Sequence, residues 1–330
     1  MAADGRSFFT VWYGVCPGWC DEGYWTDPRW LHATLRYSTM AIPVSVARLR
    51  QFERPLLDYP LVTPRVNILE SNASFLNGYP THTLRAKAFM FSRYLEKNGW
   101  DYGVLWERLI LNGKQSLDGS DVILLPNATS MPTEMQVRLR DWVQAGGTLI
   151  AVGAAGVYDP WGKPDGTLLK AAFGEGSWKY DARVWVPEKD PTESKVGAYP
   201  PRGTVYRASL GKGTVALFSQ VYNEAEPEEQ ILGYVAGGAK QRAFYGVGAK
   251  FALTLREDKV GNRWFLTALN ADAFDAATDE IRFHGPQVAV LDLELPGIAI
   301  PTRREGDESV FRLQLAPGEG VVLELAAAPR

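Results

Sequence analysis

The chain has little cysteine, no long apolar run and no excess of charge, and each shortage closes a class of function. Two cysteines in 330 residues leave no disulfide framework. No stretch approaches the ~18 consecutive apolar residues of a spanning helix. The formal net charge is −3, so nothing calls for nucleic acid or an anionic membrane as partner. The start, Met1 to Arg6, is short and polar and lacks a signal-peptide core. The cytoplasm is therefore favoured, with the compartment itself left unknown. There is no Gly-x-Gly-x-x-Gly after the first strand of the α/β stretch and no phosphate-cradling loop. Ser71, Ser74, Thr81 and Thr83 are weak phosphate candidates that ordinary loop capping explains. No cofactor is expected.

What is abundant is aromatic surface. The chain has 11 Trp, and six Trp and Tyr fall between Trp12 and Trp30. Such a cluster suits the flat apolar face of a sugar or a partner surface, and core packing is the plainer account. Cys16-Pro-Gly-Trp-Cys20 looks like half a zinc site. With His32 as the nearby imidazole and no second cysteine pair, four ligands are not assembled. Free thiols, or a strained disulfide in an oxidising compartment, are the alternatives. Asp21 and Glu22 are adjacent carboxylates in the same loop. Sugar hydrolysis needs two carboxylates about 5–9 Å apart across the substrate, a geometry that sequence neighbours rarely reach.

The pattern along the chain changes twice. Ser7 to Tyr13 reads as a strand, followed by a Gly/Pro/Trp loop. A helix starts at Asp27-Pro28, runs to about Met40, and a second helical stretch covers Val44 to Leu57. From Pro64 strands and helices alternate: strands at Val66 to Leu69, Tyr102 to Trp106, Asp121 to Leu125 and Thr148 to Val152, with helices at Leu84 to Asn98 and Pro132 to Ala145. That rhythm predicts parallel strands with right-handed crossovers. Between Asp159 and Arg202 the sequence is irregular. From about Thr204 come short alternating runs broken by Gly, Pro, Asn and Asp, the mark of an antiparallel β-sandwich, with one helix near 227–237.

Ligands bind parallel open sheets beyond the carboxyl ends of the strands. Those ends present Glu70-Ser71-Asn72, Trp106-Glu107-Arg108, Asn127-Ala128-Thr129 and Gly153-Ala154-Ala155-Gly156. The last is a strand followed by a glycine-flanked turn, where hydrolases of this architecture place a nucleophile. Ala154 and Ala155 cannot attack a carbonyl, and His82 lies far from the usual base position. No catalytic residue is expected in this sheet. Glu70, Glu107, Arg108 and Asn127 remain as a strand-end pocket, with a surface Glu107–Arg108 pair as the plainer account.

Taken in order, the pieces resemble the rear part of a glycoside hydrolase family 42 β-galactosidase. Thr10-Val-Trp-Tyr-Gly14, with its Trp-rich loop and helix, looks like the eighth strand and helix of a (β/α)8 barrel. Pro64 to Glu70 through Gly146 to Val152 is similar to the family's trimerisation domain, which resembles class I glutamine amidotransferases without their nucleophile. Gly211 to Leu217, Phe265 to Asn270 and Leu315 to Glu319 are similar to its small C-terminal β-domain. The resemblance implies an α/β plus β protein: a flavodoxin-like, amidotransferase-like open sheet, preceded by a barrel remnant and followed by a β-sandwich. The domains would be 1–63, 64–203 with its irregular extension, and 204–330.

The resemblance further implies that both catalytic glutamates of a retaining enzyme lie outside this chain. Trp12, Tyr13, Trp19 and Trp25 would help line a sugar pocket. The partners would be a β-galactoside-like carbohydrate and either further copies, three in all, or a barrel-bearing subunit. Met1 to Arg6 reads as the end of a preceding helix, as a truncated or alternatively started frame would give; the strand Ser7 to Tyr13 packing on its own α/β domain is the remaining option. Two rivals stand beside this reading: a stand-alone carbohydrate-binding protein using the Trp12–Trp30 cluster, and a hydrolase using the strand-end pocket.

Overall fold

The computed structural model describes residues 54–55, 58–77, 91–179, 184–189, 204–219, 228–240, 242–270, 272, 274–295 and 297–327. The expected barrel strand and the expected helices apart from residues 54–55, and with them Trp12, Tyr13, Trp19, Trp25, Cys16, Cys20 and His32, lie outside the described residues. So do His82 and the 84–90 part of the expected helix. The described chain falls into two compact units. One holds Thr63–Phe251 with Ile281–His284, and the other holds Ala252–Glu280, Gly285 onward and the described residues up to Val62.

The first unit is built on a six-stranded sheet. Its strands are β1 (Val66–Glu70), β2 (Gly103–Trp106), β3 (Val122–Pro126), β4 (Thr148–Val152), β7 (Val205–Leu210) and β8 (Gly213–Phe218). They lie in the order β2-β1-β3-β4-β8-β7. All neighbours are parallel except β7, which runs antiparallel on the edge. The register pairs Ile68 with Leu124 and Leu124 with Ile150. A strand covered on both faces should be apolar without alternation, and β3 is buried at every position.

Period-two geometry then sorts the side chains. Ile123, Leu125, Leu149 and Ala151 enter one core with Met135, Leu139 and Val143 of α4 (Thr133–Gln144) and Leu168 and Leu169 of α5 (Thr167–Phe173). Val122, Leu124, Ile150 and Val152 enter the other. There they meet Phe91 and Leu95 of α2 (described over 91–97) and Ile231 and Val235 of α6 (Glu228–Gly238). Each such Leu or Ile contributes about 1.5–3 kcal/mol by leaving water. The remaining short helices are α1 (Asn72–Leu76) and α3 (Glu107–Leu111).

Two sequence expectations change here. Val205 to Ala208 and Gly213 to Phe218 were expected to open the sandwich at 204. They complete the parallel sheet instead, and the expected helix near 227–237 covers that sheet as α6. The reason is visible in β8, Gly-Thr-Val-Ala-Leu-Phe, which is buried at five of its six positions, as an interior strand is. The irregular stretch after Asp159 also has order: α5 is followed by a hairpin of β5 (Gly176–Lys179) and β6 (Val184–Pro187). Trp185 is buried in the first core and Phe173 lies 6.0 Å from it.

The second unit is antiparallel. β10 (Ala252–Asp258), β11 (Arg263–Leu269), β17 (Gly320–Ala327), β13 (Val288–Asp292) and β14 (Ala299–Ile300) form one sheet in that order. β15 (Thr302–Glu305) pairs with β16 (Glu308–Leu315). The residues before the first unit run along β10. The Val62 N–H donates to Leu255 O at 2.9 Å, and the Glu257 N–H to Pro60 O at 3.0 Å. Tyr59 stacks on Phe265 with centroids 4.9 Å apart. Arg263 ties this contact down by donating to Tyr59 Oη at 3.0 Å and to Asp258 Oδ2 at 2.8 Å. Back in the first unit, β9 (Phe244–Gly246) pairs with 281–283 of β12 (Ala277–His284). Arg242 lies over the Trp100 ring at 3.3 Å.

Beside Trp100, burial pushes the Asp101 carboxyl up to about 7, against the Tyr102 N–H, which favours the charge. Between the ordinary value of 3.8 and about 7 the folded chain therefore holds a proton that the unfolded chain has lost. Stability consequently falls as pH rises through that window and levels off above it. Asp101→Asn removes this loss: thermal melts of the variant should decline less than wild type between about pH 4 and about pH 8.

Candidate functional site

The carboxyl edge of the parallel sheet is where such folds build sites, and here four loops converge on it. After β1, Ser71 adopts extended angles and caps α1, its Oγ accepting the Ser74 N–H at 3.2 Å. This is the capping role that the sequence assigns to serines of this loop. After β2, Glu107 is the first residue of α3. After β3, Asn127 takes a positive φ of 41°. After β4 comes the turn with Gly153 at φ 79° and Gly156 at φ 66°, angles that glycine adopts without a Cβ clash.

The predicted pocket residues are brought to this edge, where they differ in burial. Glu70 at the end of β1 pairs in register with Trp106 of β2. Glu107 is only 3% exposed and Asn127 is buried, whereas Arg108 is exposed. The expected surface pair between Glu107 and Arg108 is absent. Glu107 turns inward: its Oε2 lies 2.7 Å from Ser71 Oγ, and its Oε1 accepts the Ala73 N–H at 3.1 Å. Arg108 contributes its backbone N–H to Asn72 Oδ1 at 3.2 Å.

Ser71 Oγ and Ser74 Oγ both reach the Ser130 carbonyl, at 2.8 and 2.6 Å, and the Ser130 N–H donates to Ser74 Oγ at 2.8 Å. Burial raises the Glu107 pKa; the Ser71 contact and the Ala73 N–H act against that rise. Sequence reasoning missed Ser130, since no local pattern links it to Ser71, 59 residues away.

The glycine-flanked turn after β4 is equally closed. Ala154 and Ala155 are fully buried in the first core. The Gly153 N–H donates to Phe218 O at 2.9 Å and the Gly156 N–H to Ala128 O at 2.7 Å. A nucleophile at this turn has to face solvent with free backbone donors around it; here the tip faces the core and those two donors are spent. Among the described residues no three His, Cys, Asp or Glu side chains could hold a metal ion. No helix of the described residues is long and apolar enough to cross a membrane.

Comparison with solved structures bears on the fold. The fold is similar to part of the β-galactosidase from Bacillus circulans sp. alkalophilus, with a TM-score of 0.59, 14% identity, and 85% of this chain covering 44% of that one. It is similar to a catalytic mutant of Gan42B, a family 42 β-galactosidase from G. stearothermophilus (TM-score 0.53, 15% identity, 81% of this chain, 41% of that one). α-L-fucosidase isoenzyme 2 from Paenibacillus thiaminolyticus shares the fold as well (TM-score 0.57, 11% identity, 86% of this chain, 51% of that one). The chain spans less than half the length of these β-galactosidases. No family model and no curated protein matches the sequence.

If the turn after β4 is closed scaffold, restoring a hydroxyl there gives no enzyme. Ala154→Ser buries a new polar group among apolar neighbours and should cost about 1–3 kcal/mol. Chemical denaturation of the variant measures that cost, and an activated-ester assay should show no turnover above wild type.

Proposed function

We propose that this chain is the non-catalytic C-terminal portion of a family 42-like barrel glycosidase, serving self-association and capping rather than bond cleavage. One observation carries the reading: more than four-fifths of the chain is matched by under half of each β-galactosidase. The strand order β2-β1-β3-β4-β8 is the flavodoxin-like order, as an amidotransferase-like assembly domain without a nucleophile would have. On this reading residues 1–63 end a barrel. The assembly domain continues past 203 to Phe251, and the antiparallel strands after it form the β-sandwich cap.

On this reading Trp12 and Tyr13, at the end of the expected barrel strand, and Trp19 and Trp25, in the loop expected after it, would help line the sugar pocket. The substrate class is a β-galactoside-like carbohydrate, and the two carboxyl groups of the retaining mechanism lie outside this chain. The partners are further copies of the chain, three in all, or a subunit bearing the barrel.

Solution mass tests the assembly role. The 36.6 kDa chain should sediment as a trimer, and a clean monomer at high concentration overturns the role. The same preparation should leave a chromogenic β-galactoside intact. Turnover that Glu70→Gln abolishes would make the strand-end hydrolase the correct reading instead.

A further inference from the structure

The hydrogen bonds around Glu107 can be counted, and the count decides a protonation state. Ser74 is complete: its Oγ accepts the Ser130 N–H and gives its one hydrogen to the Ser130 carbonyl. Ser71 is not. Its Oγ accepts the Ser74 N–H, and it lies 2.8 Å from the Ser130 carbonyl and 2.7 Å from Glu107 Oε2. A hydroxyl has one hydrogen to give, and a carbonyl and a carboxylate both only accept. Were Glu107 ionised, one of those two short contacts would set lone pair against lone pair.

The four residues are all buried, so the site is one in which an unpaired acceptor is costly. One more hydrogen resolves every contact. A carboxylic acid at Glu107 donates from Oε2 to Ser71 Oγ, Ser71 donates to the Ser130 carbonyl, and Oε1 still accepts from Ala73.

We propose that Glu107 is a neutral carboxylic acid in the folded chain, and that its proton latches α1 to the segment after β3. Burial favours the same neutral form. Among the described residues, the segments packed on the carboxyl, α1 (Asn72–Leu76) and 127–131, contain no titratable side chain. The charged residues of the adjoining segments are Glu70 at the end of β1 and Arg108 on α3. Arg108 is exposed and meets α1 through its backbone.

The latch reaches further than α1. Asn77, which ends that helix, donates from Nδ2 to Pro160 O at 2.9 Å. Pro160 belongs to a loop tied by Asp159, whose Oδ1 accepts the Trp161 and Lys163 N–H groups, each at 2.8 Å. That loop presents Trp161, which is 86% exposed. Loss of the Glu107 proton therefore loosens α1 and the anchor of the Trp161 loop together.

The folded-state pKa lies above the unfolded one, so the folded chain holds a proton that the unfolded chain gives up. Stability is accordingly lost as pH rises towards the folded value. Glu107→Gln keeps the latch, since its amide donates to Ser71 and accepts from Ala73 at any pH. Glu107→Ala removes it.

The test follows melting temperature and amide exchange at Ala73 and Ser74 from about pH 5 to about pH 9. Glu107→Gln should match wild type at the acidic end and exceed it at the alkaline end, with slower exchange of both amides there. Glu107→Ala should be weaker than wild type at the acidic end. Infrared difference spectra of wild type minus Glu107→Gln at neutral pH should show a protonated carboxyl band. A carboxylate band in its place, or Glu107→Gln as unstable as Glu107→Ala at the acidic end, overturns the proposal. The differences are taken against wild type, so the titration of Asp101 cancels.

Discussion

Strands β3 and β4 are covered on both faces, and this double coverage constrains everything else in the α/β unit. Each residue must satisfy one core or the other, so Val122 and Leu124 face α2 and α6 while Ile123 and Leu125 face α4 and α5. A polar side chain has no place in the buried interior of these strands, and Thr148, the polar residue of β4, stands at its partly exposed start. Polar chemistry is displaced to the ends. At the amino end, Asp121 accepts the Lys240 N–H at 3.1 Å and faces Arg65 Nη1 at 3.4 Å. At the carboxyl end, the polar groups gather around Glu107.

That carboxyl edge is the part of such a fold that elsewhere holds ligands, and here it is filled by the chain's own groups. The alanines after β4 are core, and the serines after β1 and β3 hold each other and Glu107. Among the described residues of this edge, Glu107, Ala154 and Ala155 are buried, and the hydrogen-bonded loops extend to the exposed Trp161. Likeness in fold to parts of glycosidases does not assign the chemistry of those enzymes to this chain.

The antiparallel unit solves a different problem. An edge strand such as β10 exposes backbone donors and acceptors that invite pairing with other chains. Residues 59–62 cover part of it through the Val62 and Glu257 N–H groups. Tyr59, Phe265 and Arg263 fix that cover by stacking and by charge-assisted hydrogen bonds. The segment that enters the first unit is thereby also part of the second.

Much of this was legible in the sequence. Strands β1 to β4, α4 and the main β10–β17 strands follow from apolar runs and turn residues, because those signals are local. The absence of a nucleophile at Ala154-Ala155 was legible for the same reason. The membership of β7 and β8 was not: a strand's partner is chosen by what covers its faces, and only the position of α6 reveals that β8 is interior. Nor was the fate of Glu107. Its neighbour in sequence, Arg108, offers a surface pair, but its partners Ser71, Ser74 and Ser130 are drawn together by the β1–β2 and β1–β3 pairings. The sequence alone determined the kind of elements and the chemistry missing from them, since both depend on residue type and spacing. Only the tertiary structure decided which strands share a sheet and where a carboxyl is denied water, since both depend on groups far apart in the chain.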